Sequence, residues 1–578
     1  MRRRRTLPLP RLLVLGLAAL LPAAAVVALS GCGTDRGDRE PVTLVLMGTT
    51  DTHAQLLPWD YEAGREAEHG LARLVPIVDS IRAAHPGRTV LVDSGDLLQG
   101  GPMAAAFTPL EPGVEHPVIT AMNVMEYDAA ALGNHEFNFG IRHMERAIRD
   151  AHFPFLSANV LDAETGEPAY DEYVILERTA GDRTVRIGVT AVLPPGVAVW
   201  DRDHVEGRLI FPDMVERLAE VVPRMRARGA DVVVVAAHAS FEGTSYDTIA
   251  TGLPAENRMA DAARMVEGID VVFLGHSHRE VADSTLNGTL FVQGGPRASS
   301  LGVATVVLEP EGEGGWRVTS RRGELVRPDT SRSDPAMEGA LMAAHERTLE
   351  KMNRVIGTTP EAWSARQTRV GPTPLIEFMH QVQREATGAD LSAAASFSLE
   401  AGLPEGEITV AHLARLYPYD NNLLRAVRID GAQLRAYLEH SARYFAECPE
   451  AECEPLINAE WPGFNFDMIS GIDYRLDLTR PVGERVVQLE RDGEPVTDDD
   501  QFTLALNNYR QGGGGGFPAV AEAELVYEGD ESIRALLIEA IEERGVMDPA
   551  DFQTSNWELV PPELAERALE EMLERGGR

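Results

Sequence analysis

The sequence predicts an α/β protein with a second, α+β domain, and three observations carry that prediction. Between Val42 and Leu308, short apolar runs alternate with amphipathic helical stretches, the pattern of strands interleaved with helices. Several of those runs end on His, Asp or Asn. The chain has 578 residues, more than one hydrophobic core usually serves.

The first stretch differs from the rest. "MRRRR" is followed by a nearly continuous Leu, Ala and Val run from Leu12 to Ala28, and then by "LSGC", Leu29 to Cys32. A charged start followed by such a run is a secretory signal. We read 1–31 as a lipoprotein signal peptide and 32–40 as a polar tether. The ending resembles the bacterial lipobox, in which Cys32 becomes the lipidated first residue; a plain signal with a chance cysteine is the alternative. The protein is thus expected to be exported and lipid-anchored in the bacterial cell envelope, at the periplasmic face or cell surface.

The strands expected next are "VTLVLMG", "TVLVDSG", "AAALGN", "VRIGVTAV", "ADVVVVAAH" and "VVFLGH". Helices are expected over "LARLVPIVDSIRAAH" and "DMVERLAEVVPRMRARG", the second closing on a glycine. We place this domain at 41–330. A long helix, "AMEGALMAAHERTLEKMNRVIG", is read as the connection between domains, 331–357. The second domain, 358–560, carries helices such as "TPLIEFMHQVQREATG" and strands such as "GIDYRLDL" and "FTLALNNY". After "GGGGGFP" the chain is expected to end in helices, the last an acidic amphipathic surface helix at 561–578.

Composition narrows the function classes. The residues are 44% hydrophobic and 25% charged, ordinary for a globular protein. The formal charge is −37, and five arginines lie in the leader, so the remainder is more acidic still. Such a surface repels polyanions, and a nucleic-acid polymer is not an expected partner. An anionic small substrate would need local positive charge, which bound metal ions could supply. Beyond Cys32 only Cys448 and Cys453 occur, in "ECPEAECEP". In an oxidising compartment they suggest a disulfide closing a small loop, with free thiols as the alternative.

The strand ends carry the chemistry. Asp51 and His53 follow the first strand, Asp96 the next, Asn134 and His135 the third, His238 another, and His276 and His278 the run "VVFLG". In open α/β sheets, ligand sites form outside the carboxyl ends of the strands. If the chain stays extended through "HSH", His276 and His278 project to one side. Each residue alone reads as an ordinary loop or turn residue; jointly they form an imidazole and carboxylate donor set without thiolate.

The ordered set D-x-H, G-D, G-N-H-E, H and G-H-x-H resembles the calcineurin-like metallophosphoesterases. "GNHEFNFG", the second domain and "NNYRQGGGGGFP" narrow the resemblance to the secreted 5′-nucleotidase superfamily. "TTDTHAQLLPWDY" and "LYPYDNN" look most like its bacterial 2′,3′-cyclic-nucleotide 2′-phosphodiesterase/3′-nucleotidase branch. The resemblance spans about Val42 to Pro518. It implies a four-layer α/β/β/α metallophosphoesterase domain followed by a 5′-nucleotidase C-terminal substrate-binding domain. It further implies domain rotation about a hinge near the linking helix.

It also implies two divalent ions, such as Zn, Mn, Fe or Co. One would be held by Asp51, His53, Asp96 and His278. The other would be held by Asp96, Asn134, His238 and His276, with Asp96 shared. Two such ions acidify a bridging water and neutralise phosphate charge. By resemblance His135 stabilises the phosphoryl transition state or protonates the leaving oxygen. Many relatives have Asp where this chain has Asn138, and an amide favours the imidazolium less, so Asn138 is expected to tune His135. Tyr419 and Tyr509 match the family's base-stacking positions, and Gly513 and Gly514, in the loop beside them, are expected to line the substrate site. The five glycines Gly512 to Gly516 are expected to be a loop rather than core. The stretch "AAASFSLEAG" lacks the arginine that 5′-nucleotidases place there, which weakens a 5′-monophosphate reading.

The expected function is therefore hydrolysis of extracytoplasmic 2′,3′-cyclic nucleotides and 3′-nucleotides by a monomeric dimetal enzyme. A 5′-nucleotidase or nucleotide-sugar hydrolase is the first alternative. A lipoprotein that binds metal or nucleotide without turnover is the second.

Overall fold

The computed structural model describes residues 40–312, 314–449 and 453–575. The signal peptide, Cys32 and the tether up to residue 39 lie outside the described residues. No helix among those described is long and apolar enough to cross a membrane.

The expected strands divide between two six-stranded sheets. In the first, Val42–Thr49 lies parallel to Thr89–Asp93, which lies parallel to Ala129–Ala131. In the second, Val232–Ala237 lies parallel to Arg183–Val192 and to Val271–Phe273. Near-continuous Val, Leu and Ala runs suit such strands because both faces are covered. Between the sheets, Leu44, Leu46, Val90 and Val92 meet Ile187, Val189, Val234 and Phe273 in one buried cluster. Outside the second sheet, Leu218, Val221, Val222 and Met225 of the helix Met214–Ala227 pack on Val233 and Val235. Asp213 caps that helix by accepting from the Val215 and Glu216 amides, meeting donors that its first turn leaves free. Outside the first sheet, the helix Leu71–Ala84 buries Leu71, Leu74, Val75 and Val78. This is the α/β/β/α layering.

A helix runs from Pro335 to Met352, capped by Asp334, and leads into the second domain. There a five-stranded sheet is ordered Asp467–Ser470, Leu391–Ala395, Gln501–Asn507, Leu423–Asp430 and Glu524–Ser532. The helices Pro374–Thr387 and Gly431–Ser441 pack against it. Cys448 and Cys453 are joined by a disulfide. Residues from Pro41 onward form one compact unit.

The chain does not end in helices alone. Glu524–Ser532 is the edge strand of the five-stranded sheet, and Trp557–Val560 lies parallel to Asp473–Asp477 in a separate sheet. "ELVYEGDES" has no apolar period because it is an exposed edge, and charge on an edge discourages pairing with other chains.

Candidate metal centre and substrate cavity

The loops leaving the parallel strands of both sheets meet at one place. Asp51, His53 and His278 form one group whose ligand atoms lie within 4.8 Å of one another, and Asp96, His238 and His276 form a second. Asn134 joins the second, its Oδ1 3.0 Å from His238 Nε2. Asp96 Oδ2 is also 3.0 Å from His238 Nε2. The backbone links the groups: the His53 amide donates to the Asp96 carbonyl, 3.0 Å.

His276 and His278 reach different groups, but not by extension of a strand. The strand ends at Phe273, and His276 and His278 adopt left-handed conformations with φ of 69° and 54°. Asp51, His53 and Asp96 do the same, at 50°, 46° and 62°. For L-residues that conformation costs about 1–2 kcal/mol each. Strain of this kind persists where surrounding contacts over-determine it. Here the Asp51 carboxylate accepts from the His276 amide at 3.0 Å, and Asp96 Oδ1 accepts from the His135 amide at 2.9 Å.

Glu136 locks two of the loops together. Its buried carboxylate accepts from the amides of Asp96, Leu97, Leu98 and Gly133 at 2.6–3.0 Å. Burial, reinforced by the charge of Asp96, pushes its pKa up. Gly133 is required at this junction: a Cβ there would lie 2.4 Å from Asp96 Oδ1.

Hydrogen bonds fix the imidazole tautomers. His53 Nδ1 donates to the Gln99 carbonyl at 2.8 Å, and His238 Nδ1 donates to the Ser94 carbonyl at 2.8 Å. A carbonyl only accepts, so the protons sit on Nδ1 and each Nε2 lone pair faces its group. His276 Nε2 bonds Glu256 Oε1 at 2.6 Å, which leaves its Nδ1 as the donor. Burial holds His53 neutral, its pKa lowered to about 3. Burial would also lower His238, but the charge and hydrogen bond of Asp96 override it and push the value to about 10. Asp96 sits well below the carboxylate range, because the neighbouring His238 and His135 outweigh its burial.

His238 holds a second proton, on Nε2 toward Asp96, which a metal would displace; imidazole nitrogens converging with ionised carboxylates are the donor set divalent transition metals take. The residues present therefore fit a dimetal centre. His53 Nε2 and His278 Nε2 approach to 3.1 Å, about the spacing of two nitrogen ligands on one cation.

His135 is close to both groups without belonging to either. Its ring centroid is 5.3 Å from that of His53, and its Nε2 is 3.8 Å from Asp96 Oδ2. Its Nδ1 is 2.6 Å from Asn138 Oδ1, and Asn138 Nδ2 donates to Asp201 Oδ1 at 2.8 Å. Asn138 therefore has a carboxylate behind it, which the sequence reading did not anticipate.

One cavity of roughly 1020 Å3 joins this centre to the second domain. Asp96, Asn134, His135, His276 and His278 line one side, and Phe397, Tyr419, Tyr509, Trp461 and Phe464 the other. Tyr419 stands edge-on to Phe397, with centroids 5.1 Å apart and an interplanar angle of 70°. Phe397 lies in the stretch that lacks the arginine, and its role was not read from sequence. Two expectations about the glycine run need correction. Gly515 and Gly516 line the cavity, whereas Gly513 and Gly514 do not. Gly512, Gly514 and Gly515 are buried rather than free in a loop. A Cβ on Gly514 would lie 2.5 Å from the Tyr509 ring, so that glycine seats the tyrosine instead of touching a ligand.

This fold and these donor groups define a metal-dependent phosphoesterase. Residues 44–280 match the calcineurin-like phosphoesterase family, and residues 355–522 match the 5′-nucleotidase C-terminal domain. The chain is 30% identical to the 2′,3′-cyclic-nucleotide 2′-phosphodiesterase/3′-nucleotidase of Salmonella typhimurium, across 90% of this chain and 89% of that protein. It therefore belongs to the calcineurin-like phosphoesterases that carry a 5′-nucleotidase C-terminal domain. It is also 30% identical to a trifunctional nucleotide phosphoesterase of Bacillus subtilis, but spans only 41% of that protein's length while aligning over 96% of its own. A structure described as a 5′-nucleotidase of Staphylococcus aureus superposes with a TM-score of 0.77 at 25% identity, covering 90% of this chain and 100% of that one.

Proposed function

We propose that the protein hydrolyses 2′,3′-cyclic nucleotides and 3′-nucleotides as a monomer outside the cytoplasm, held to the membrane by acyl groups on Cys32. The observation that carries the substrate reading is one cavity, lined by Asp96, Asn134, His135, His276 and His278 at one end and by Tyr419 and Tyr509 at the other. Aromatic faces accept any base by stacking, and the donor groups suit a phosphate. The lack of an arginine within the stretch "AAASFSLEAG" and the activity of the Salmonella relative both favour cyclic and 3′-phosphates over 5′-phosphates.

Asp51, His53, Asp96 and His278 would hold one metal, and Asp96, Asn134, His238 and His276 the other. Two divalent ions there would supply Lewis acidity to neutralise phosphate charge and to ease ionisation of water. The chain's own residues do the rest. Tyr419 and Tyr509 hold the base. His135, its Nδ1–H held by Asn138, takes up a proton at Nε2 and gives it to the departing ribose oxygen.

Rates on 2′,3′-cyclic AMP, 3′-AMP and 5′-AMP with metal-reconstituted protein test this. The first two should exceed the third; a faster rate on 5′-AMP would establish the 5′-nucleotidase reading instead. Radiolabelled fatty acid should enter the parent protein and not Cys32→Ser.

A further inference from the structure

His135 rests on an amide, and an amide has two faces. Rotating Asn138 by half a turn about its terminal bond exchanges Oδ1 for Nδ2 at almost no steric cost. The two orientations demand opposite things of His135. With Oδ1 facing the ring, Nδ1 must carry the proton and Nε2 faces the metal centre free to receive or return one. With Nδ2 facing the ring, Nδ1 must be bare and the neutral ring carries its proton on Nε2.

Something must choose between these faces, and Asp201 is placed to do so. It is 4% exposed and sits between the short helices Val197–Trp200 and Arg202–Val205. Its Oδ1 takes the Asn138 Nδ2 hydrogen at 2.8 Å, and its Oδ2 is buried without a hydrogen-bond partner among the described residues. Burial pushes its pKa up to about 7; at the alkaline pH where it is ionised, the carboxylate only accepts, so it pairs with Nδ2 and not with Oδ1. The same segment holds Asn138 a second time, through His204 Nε2 and the Asn138 carbonyl at 3.0 Å. Asn138 itself is 6% exposed, so no bulk water competes for the amide.

We propose that Asp201 is a positioning residue that orients the Asn138 amide and thereby fixes His135 in the Nδ1–H tautomer, with Nε2 turned to the reacting phosphoester. The catalytic part of this rests on the reading of His135 given above; the tautomer part does not.

The two parts are tested separately. Histidine-selective 15N spectra of the metal-free protein at fixed alkaline pH report the tautomer, with His135 identified by its loss in His135→Gln. Parent protein should show Nδ1–H at His135. Asp201→Ala should show mixed tautomers and about a 100-fold fall in kcat with KM within twofold. Asn138→Asp alone places two carboxylates in contact and should also impair turnover. The exchanged pair, Asn138→Asp with Asp201→Asn, keeps every heavy-atom position and restores an acceptor toward His135. It should recover the Nδ1–H tautomer and kcat to within about threefold of parent.

The proposal is overturned if Asp201→Ala leaves the tautomer and kcat as in parent. It is equally overturned if the exchanged pair is no better than Asn138→Asp, a comparison that stands even where Asp201→Ala does not fold. If no phosphoester is turned over by the parent, the functional reading fails, while the spectra still decide the role of Asp201.

Discussion

The two ends of the cavity are built on opposite plans. At the metal end nearly every donor is held twice, by an unusual backbone conformation and by a hydrogen bond to another loop. Asp96 illustrates this, with φ of 62°, its amide on Glu136 and its carboxylate on His238 and the His135 amide. At the aromatic end Tyr419 is seated by packing against Phe397, and Tyr509 by its fit over Gly514. Directional contacts fix atoms to fractions of an ångström, as metal chemistry needs; packed rings fix a plane, which is all that stacking needs. Damage at the metal end should therefore abolish chemistry, and damage at the aromatic end should weaken binding.

The largest break in that contrast should come from Asp96→Ala. Losing a carboxylate central to the donor set should lower kcat by roughly 1000-fold, equivalent to about 4 kcal/mol. Metal content by mass spectrometry should fall with it; retention of two ions per chain would contradict the assignment.

Next in size is Glu256→Gln. Its carboxylate orients His276 through a 2.6 Å contact, and such outer partners contribute about 10-fold to 100-fold in metal affinity. Competition with a chromogenic chelator measures it.

Tyr509→Ala should raise KM about 10-fold, with kcat within twofold, since stacking contributes about 1–3 kcal/mol per base. A fall in kcat with unchanged KM would mean that Tyr509 belongs to the chemistry, and the contrast between the two ends would dissolve.

A last effect concerns pH and stability. Burial raises Asp201 from the usual 3.8 to about 7. Between those values the folded state keeps a proton that the unfolded chain has lost, so this group lowers stability as pH rises from about 4 to 7. Asp201→Asn removes that dependence. Metal-free Asp201→Asn should melt with the parent at pH 4 and above it at pH 8, by about 1.4 kcal/mol for each unit of that rise.

Much of this was legible because chemistry constrains residue type and place together. Asp51, Asp96, Asn134, His238 and His276 each follow an apolar run, and strand ends are where open sheets gather ligands. Which strand joins which of the two implied sheets could not be read, since a buried parallel strand looks the same in either. The left-handed turns at His276 and His278 were also hidden, because the His-Ser-His spacing suits an extended chain equally well. Glu136 stands in the G-N-H-E motif, but its bonds to the Asp96 loop were not legible there; Asp201 and Glu256 carry no local signal, each being one of 90 acidic residues, distinguished only by what folds against it. The acidic edge strand Glu524–Ser532 lacks the apolar period that announces a strand.

The short helical pair from Val197 to Val205 has one further consequence. Asp201 faces the amide behind His135, while Asp203, two residues on, pairs with Arg425 of the second domain at 2.7 Å. A Cβ on Gly512 would lie 2.6 Å from the Val199 carbonyl, so the glycine run presses on the same few residues. One small piece of chain thus bears on the Asn138 amide and on the second domain at once, so a shift of one should be felt at the other.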